Sequence, residues 1–596
     1  MSAYRDMLCG EPRAEHAGRE LTLSGWVGRR RDHGGLVFVD LRDRTGSVQL
    51  VIDPERAPEA HAVAHALRLE SVVRARGELV PRSEATRNPQ LPTGDVELAV
   101  SVIELLSSSE VLPFQLDDEN VDEALRIRHR YLDLRRPRMQ ELQAIRTRAV
   151  RSIRRFLDER DFLDLETPTM TRATPEGARD FVIPFRLEPG TFYALPQSPQ
   201  LYKQLLMCGG FDRYYQIAHC WRDESQRADR ALEFTQLDLE MSFVEQEDVL
   251  SLTEQLMAQV WRDAGHELEL PFPRLPYGEA LARYGSDKPD LRYGLEIGDV
   301  SERVAGSEFG VFSRAVGAGG VVRCLSIPGA AEALSRKDYD ELAEFAQEWG
   351  GKGLAYLIFE ADGSVRSPIA KFLSEAEVAA IREASAARPG SVAFIAADAQ
   401  PVVERVLGAL RPHLARRFEL IPAGQWRFLF VTDFPLFKQT EDGSGWTAEH
   451  HPFTAPKREH EELIESDPGA VLSESYDLVL NGLEMASGSI RINRAELQTR
   501  VLDVIGIDPA EAEERFGFLL RALRFGAPPH GGIAPGIDRI AMQLGDTDNL
   551  REVVAFPKLG GGADPLTGAP APLPPEQLAE LGLAVVRPAP GKPASG

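Results

Sequence analysis

A chain of 596 residues, 43% of them hydrophobic, is long enough for several domains with substantial cores. Its formal net charge of −24 argues against nonspecific binding to a polyanion, and no uninterrupted apolar run reaches the roughly 20 residues that a membrane span requires. The four cysteines, Cys9, Cys208, Cys220 and Cys324, form no CxxC pair, so neither a zinc site nor a disulfide scaffold is indicated. Their scatter fits a reducing cytoplasm, and the opening MSAYRDMLCGEPRAEH, which lacks an apolar h-region, leads us to expect a soluble, unprocessed protein.

In the first hundred residues LTLSGWVGRRR, GLVFVDLRD, SVQLVID, SVVRARGELV and VELAVSVIELL alternate or run apolar, with one helix-like insert, AHAVAHALRLE. Five short strands in this arrangement predict a small closed barrel of the OB type, an architecture that binds single-stranded nucleic acid. Phe38 beside Arg29 and Arg31 fits an aromatic platform in a basic groove and fits a core strand position equally well. Two basic patches, Gly28-Arg29-Arg30-Arg31 and LRIRHRYLDLRRPRMQ from Leu125 to Gln140, read in isolation as solvated faces.

From Gln140 to Glu159 apolar residues recur at helical spacing (Leu142, Ile145, Val150, Ile153, Phe156, Leu157), and DFLDLETPTM then predicts a strand ending at Pro168. The stretch FYALPQSPQLYKQLL, Phe192 to Leu206, sets amide and hydroxyl groups and one cation, Lys203, beside a hydrophobic stripe, as suits a small anionic ligand. In FDRYYQIAHCWRDESQRADRALEFTQLDLEMSF a strand, a polar loop and a second strand follow one another. Arg222, with Asp223, Glu224, Arg227 and Arg230 after it, suits bidentate contact with phosphate, and Phe234 offers an aromatic face; alone, the segment is equally a hairpin with a charged tip.

Residues from about 290 to 420 are richer in Gly and Ala and predict a separate α/β insert without an interpretable motif. Beyond it, YDLVLNGLEMASGSIRI places Asp477 and Glu484 ahead of Arg491, and two carboxylates on one sheet face suit a magnesium ion that also takes phosphate oxygens. In HGGIAPGIDRI the glycines allow close backbone approach to a ligand and Arg539 opens a helix. Walker A and GxGxxG sequences are absent. A Pro/Gly-rich tail, Leu559 to Pro575, precedes one short helical stretch.

In conjunction, a strand ending in proline, an Arg-Asp-Glu hairpin with a downstream Phe, and a GxDR segment resemble motifs 1, 2 and 3 of class II aminoacyl-tRNA synthetases. Within that class TPEGARDF, FYALPQSPQLYKQLL, WRDE, RADR, EFTQLDLEMSF, HHPFT, YDLVLNG, FGAPPHGGIA, WVGRRRDHGGLVFVDLRD and AFPKLGGGADPLTGAP are similar to the bacterial type of aspartyl-tRNA synthetase, over nearly the whole chain. The resemblance implies an α/β multidomain protein. An OB-fold anticodon-binding domain would occupy residues 1–110 and a linker 111–139. The class II antiparallel-sheet core with flanking helices would lie at 140–288 and 423–560, interrupted by a GAD-type insert at 289–422 and followed by an extension at 561–596.

It also implies ATP-dependent activation of L-aspartate and its transfer to tRNA-Asp, in a cytoplasmic homodimer formed around Pro168, with no membrane or DNA partner. Residue by residue, Arg222, Glu224 and Arg539 would be catalytic. Lys203 and Arg491 would face the side-chain carboxylate of aspartate, with Glu176, Ser198, Gln200 and Asp238 on its ammonium group and Arg222 and His450 completing the site. Around ATP the resemblance puts Arg222, Asp223, Glu224, Arg230, Ala231, Phe234, Glu484, Gly536, Ile537, Asp538 and Arg539, with adenine between Phe234 and Arg539 and the far phosphates on Arg230, His450 and Arg539. Asp477 and Glu484 would hold Mg2+.

Anticodon contacts would come from Arg29, His33, Phe38 and Gln49. Histidine at position 33, where family members restricted to tRNA-Asp commonly have leucine, is associated with forms that also charge tRNA-Asn and hand the product to an amidotransferase. Three departures fall on the nucleotide side: Ala231-Leu232 for the family's Gln-Pro, Ala486-Ser487 for Gly-Gly, and Pro535 for an aromatic residue. The added Cβ atoms are expected to crowd ATP or its metal. The competing readings are a strictly tRNA-Asp-specific enzyme, a related asparagine ligase and a catalytically silent paralogue.

Overall fold

The computed structural model describes residues 3–173, 177–224, 230–440 and 442–586. They form two compact units, one of residues 1–144 with 551–571, the other of 145–550 with the segment from Pro572 onward.

In the first unit β1 (Glu20–His33), β2 (Leu36–Asp43), β3 (Gly46–Ile52), β4 (Val72–Pro81) and β5 (Val96–Ser107) close a barrel in the order β1-β2-β3-β5-β4, with the helix Pro58–Ala66 between β3 and β4. Period-two alternation fixes its faces: Leu21, Leu23, Val37, Val39, Leu41, Val48, Leu50 and Ile52 are buried inside, and a register slip of one residue would turn them all to water. The OB barrel expected from the sequence is present. The returning segment at Arg551–Ala555 is pinned by buried Arg130, whose guanidinium donates to the carbonyls of Arg551 (2.7 Å), Val554 (2.8 Å) and Ala555 (3.0 Å) while pairing with Asp133 (2.6 Å).

The second unit is built on an eight-stranded sheet. In chain order its described strands are β6 (Leu163–Asp164), the small hairpin β7 (Val182–Pro184) and β8 (Phe192–Ala194), β9 (Arg213–Trp221), β10 (Glu233–Ser242) and β11 (Arg274–Pro276). The insert carries β12 (Gly298–Asp299), β13 (Val321–Ile327), β14 (Ala355–Phe359), β15 (Val365–Arg366) and β16 (Val392–Asp398). The chain then returns with β17 (Phe428–Thr432), the hairpin β18 (Phe437–Gln439) and β19 (Trp446–Ala448), β20 (Ser475–Leu480), β21 (Leu483–Ile490) and β22 (His530–Pro535). The large sheet runs β11-β17-β20-β21-β22-β10-β9-β6, antiparallel except at its two edges.

One face of this sheet is dry. Leu237, Leu239, Leu478, Leu480 and Ile533 pack there against Ile153, Phe156 and Leu157 of the helix Pro137–Asp158 and against Val249, Met257 and Trp261 of the helix Gln246–Asp263. Full burial of each large apolar side chain contributes about 1.5–3 kcal/mol, which makes this layer the rigid floor of the molecule's chemistry. The expected strand before Pro168 is shorter than its sequence suggests. Only Leu163 and Asp164 pair, alongside Tyr214 and Tyr215. Beyond Leu165 the Thr167 N–H turns to the Gln216 side chain (3.2 Å), and proline has no N–H to continue the ladder.

The insert has a sheet of its own, β12-β13-β16-β14-β15, with the helices Arg336–Glu348 and Gln400–Arg417 over one face and Val300, Val304, Phe312 and Ile381 under the other. Among the described residues no helix is long and apolar enough to cross a membrane.

Candidate active site

Strand alternation places the chemistry on the wet face of the large sheet. On β10 the odd positions Leu237 and Leu239 enter the core, so Phe234, Gln236, Asp238 and Glu240 point the other way, over Cys220, Ala218, Gln216 and Tyr214 of β9. On β21 the same alternation sends the Ala486 methyl to the core and Ser487, Ser489 and Arg491 to the opposite face, where Arg491 reaches across β22 to Glu240. The helix Gln200–Cys208 lies above. Its inward stripe Gln200, Lys203, Gln204 and Met207 follows i, i+3, i+4, i+7, so the polar residues of QSPQLYKQ are buried by helical geometry. These elements surround a cavity of about 470 Å³.

At its base, Glu240 joins the two cations that the sequence places 288 positions apart. Lys203 Nζ lies 3.2 Å from Glu240 Oε2 and 2.8 Å from Asp238 Oδ1; Arg491 Nε lies 2.9 Å from Glu240 Oε1. All four side chains are at most 3% exposed. Burial pushes the Asp238 carboxyl up, against the pull of Lys203; Glu240 faces the same burial, but Arg491 and Lys203 hold it below the usual carboxylate range. The guanidinium of Arg491 also reaches Ser489 Oγ (2.6 Å) and Nε2 of His451 (2.8 Å). Burial, then Arg491, keep that imidazole neutral, its pKa well below the ordinary value, so it accepts the hydrogen bond.

Toward the mouth, Arg222, Glu224, Arg230, Phe234, Glu484, Gly536 and Arg539 line the cavity. The Arg222 guanidinium lies over the Phe234 ring, 5.0 Å from its centre, and Arg230 pairs with Glu224 at 3.2 Å. Arg539 donates to the Glu484 carbonyl and lies 3.8 Å from its carboxylate. Burial and the neighbouring Asp477 push the Glu484 carboxyl up. Asp477 is 5% exposed, and its Oδ1 lies 3.5 Å from His450 Nε2. Burial opposes charging of His450, but Asp477 outweighs it and raises the imidazole above its ordinary value.

Several expectations are corrected. Ile537 is fully buried in the sheet's core, so only its backbone is available to a nucleotide. Asp223 stands outside the cavity lining, its N–H given to the Arg179 carbonyl, whereas Asp538 does line the cavity while its carboxylate is held by Arg146 and the Thr235 N–H (3.0 Å). Ala486, in place of the family's glycine, lines the cavity and also joins the core, 2% exposed. Nor are Lys203 and Arg491 bare cations awaiting an anion: Asp238 and Glu240 already balance them. Glu176 and Arg227 lie outside the described residues.

The family model for class II tRNA synthetases (D, K and N) matches residues 122–560, and that for the OB-fold nucleic acid binding domain matches 21–106. The chain belongs to the class II tRNA synthetases. It is 53% identical over 588 residues to the aspartate–tRNA(Asp/Asn) ligase of Rubrobacter xylanophilus, covering 98% of each chain. It is 51% identical over 582 residues to the protein of the same name from Moorella thermoacetica, covering 97% of this chain and 96% of that one. The fold matches the asparaginyl-tRNA synthetase of Pyrococcus horikoshii, solved with asparaginyl-adenylate, with a TM-score of 0.57 at 18% identity over 92% of this chain and 97% of the other.

In this synthetase the sequence reading missed Glu240, His451, Ser489, Gln204 and His530. Alternation along EFTQLDLEMS was the available signal for Glu240, two residues past Asp238 on the same face. On the barrel, Phe38 stands on the outer face between inward Val37 and Val39, opposite Arg31, which settles the ambiguity between core and surface. Arg29 is exposed opposite Asp40. Gln49 is engaged at both ends, accepting from Arg31 (3.3 Å) and donating to Glu97 (3.2 Å). His33 is exposed at the end of β1, beside a turn whose Gly35 carbonyl is held by His61 at 2.9 Å.

Proposed function

We propose that this chain is an aspartate–tRNA ligase that joins L-aspartate to ATP as aspartyl-adenylate, with release of pyrophosphate, and passes the aspartyl group to the 3′ end of tRNA-Asp and of tRNA-Asn. The convergence of Lys203 and Arg491 on one buried carboxylate carries this reading. Ammonium and guanidinium groups have hydrogens to donate and nothing to accept with. A carboxylate offered to them accepts from both, whereas the isosteric amide of asparagine turns an N–H toward donors. Because Asp238 and Glu240 already balance the cations, selection comes from this mismatch of donors and charge in a dry site, and a polar mismatch of that kind discriminates far more strongly than a missing methylene.

The substrate's ammonium group would meet Ser198, Gln200 and Asp238, and Arg222 would lie between its α-carboxylate and the α-phosphate. Two anions must be brought together there, so fixed positive charge in a water-poor cavity supplies most of the acceleration. Arg230, His450 and Arg539 would hold the outer phosphates, with adenine on Phe234. The buried carboxylate of Asp477 and the neighbouring Glu484 carboxyl, which Asp477 pushes up, fit a magnesium ion, which takes one or two protein carboxylates and completes its shell with phosphate oxygens. When bound, that ion would draw negative charge from those phosphates.

The barrel would stack an anticodon base on Phe38 and read others with Arg29 and Gln49. Exposed His33 and the Asp/Asn names of the relatives support acceptance of tRNA-Asn, whose aspartylated product an amidotransferase would convert. The sheet edge at β6, with Leu163 46% exposed, and Met170 in the segment after it, 56% exposed, support a homodimer formed around Pro168. A cytoplasmic location suits such an enzyme. Charging of purified tRNA-Asp and tRNA-Asn transcripts tests the proposal: both should be aspartylated. A protein that charges only tRNA-Asp would confine the activity, and one that charges neither would overturn the assignment.

A further inference from the structure

Behind the site, a run of three buried side chains ends on a backbone carbonyl. His530, on β22, has Nδ1 2.8 Å from the carbonyl oxygen of Pro528 and Nε2 3.3 Å from the amide nitrogen of Gln204. Gln204 in turn accepts through Oε1 from the amide nitrogen of Gln200 at 3.2 Å. His530 and Gln204 are fully buried, Gln200 is 6% exposed, and of the three only Gln200 lines the cavity.

The direction of this chain follows from its far end. A carbonyl can only accept, so Nδ1 of His530 must carry the proton. Burial keeps the ring neutral, its pKa below the ordinary value, although Glu240 pulls upward; Arg491 and Lys203 also face the ring and act with burial. A neutral ring protonated at Nδ1 presents a lone pair at Nε2, and only an N–H can face it. Gln204 is thereby oriented amide nitrogen toward His530 and oxygen toward Gln200. Gln200 must then spend its nitrogen on Gln204, which leaves its carbonyl oxygen for the cavity.

We infer that His530 is a positioning residue that, through Gln204, locks the Gln200 amide so that an acceptor oxygen is presented to the ammonium group of the amino-acid substrate. This rests on the aspartate reading above. Without the lock, the Gln200 amide can turn and offer N–H groups to a cation.

Steady-state aspartate-dependent exchange of labelled pyrophosphate into ATP, on the full-length protein, tests the inference. In H530N the asparagine nitrogen takes over the bond to Pro528 but leaves Gln204 without an acceptor, so the aspartate KM should rise about tenfold or more, the scale of a lost hydrogen bond to a charged group, with the ATP KM unchanged. H530Q sets an amide oxygen near the place of Nε2 and should restore most of the affinity. In a Q200A background H530N should add nothing, because the two act as one unit. A rise in both KM values, no rescue by H530Q, or a full additional effect in the Q200A background would overturn the inference. Should H530N fail to fold, Gln204→Leu cuts the chain at its middle link: a raised aspartate KM sustains the inference and an unchanged one overturns it. Absence of aspartate-dependent exchange in the unmodified protein would instead remove the aspartate reading itself.

Discussion

Glu240 sits where two cations need a common anion, and its worth is best measured by what its loss of a partner would do. In Arg491→Met, Glu240 keeps only Lys203 while still fully buried, and breaking such a pair typically costs about 3–5 kcal/mol. A clear fall in melting temperature is expected together with loss of aspartate-dependent exchange; a variant as stable as the parent would mean that the cluster is solvated. His451 gives a pH dependence of definite sign. Folded, its ring resists protonation because of burial and Arg491, whereas in the unfolded chain it takes up a proton below about pH 6.5. The unfolded state therefore binds more protons there, and this group's contribution to stability falls as the pH drops below about 6.5. In His451→Gln, which keeps an acceptor for Arg491, the melting temperature should fall less between about pH 7.5 and about pH 5.5 than in the parent. Lys203, Arg222 and Arg491 were legible in the sequence because each sits in a distinctive string. His451, Gln204 and His530 stand in such strings too, but what they do depends on buried partners from other elements, which the strings do not show.

At the scale of elements, β10, β21 and β22 must lie close enough for Glu240 to reach Arg491, and Gly532 permits it. A Cβ there would stand 2.0 Å from the Leu239 carbonyl and 2.1 Å from Glu240 Oε2. Gly532→Ala should accordingly destabilise the protein by at least about 1–3 kcal/mol, read as a lowered denaturant midpoint, and raise the aspartate KM more than the ATP KM. On the neighbouring strand β21, Ala486 lines the cavity and packs into the core, and Ser487 faces the site. Ala486→Gly is expected to leave the ATP KM unchanged while costing about 1 kcal/mol of stability through lost packing and added backbone entropy. An ATP KM that falls in this variant would mean that the Ala486 methyl crowds the nucleotide. Periodicity was enough to place the barrel strands, the helix before β6 and the inward stripe of Gln200–Cys208. It overextended β6, because local pattern cannot show that the Thr167 N–H is taken by a side chain on another strand.

For the whole molecule, the two units divide the labour: one carries a barrel face with Phe38, Arg29 and exposed His33, the other a cavity lined by Lys203, Asp238 and Arg491, whose charges Glu240 helps to balance from behind. Discrimination between tRNAs should therefore change without discrimination between amino acids. His33→Leu is expected to depress charging of tRNA-Asn relative to tRNA-Asp severalfold while leaving aspartate-dependent pyrophosphate exchange as it was. Equal loss with both tRNAs would assign His33 to general backbone contact. The resemblance visible in the sequence extended over nearly the full length because its motifs are contiguous strings, whereas the compensation of Lys203 by Asp238 and Glu240 depends on residues brought together only by the sheet. The most direct measurement of the central claim is ATP–pyrophosphate exchange with aspartate and with asparagine at equal concentration. The donor-only pair Lys203 and Arg491 predicts exchange with aspartate and almost none with asparagine, and comparable exchange with both amino acids would contradict it.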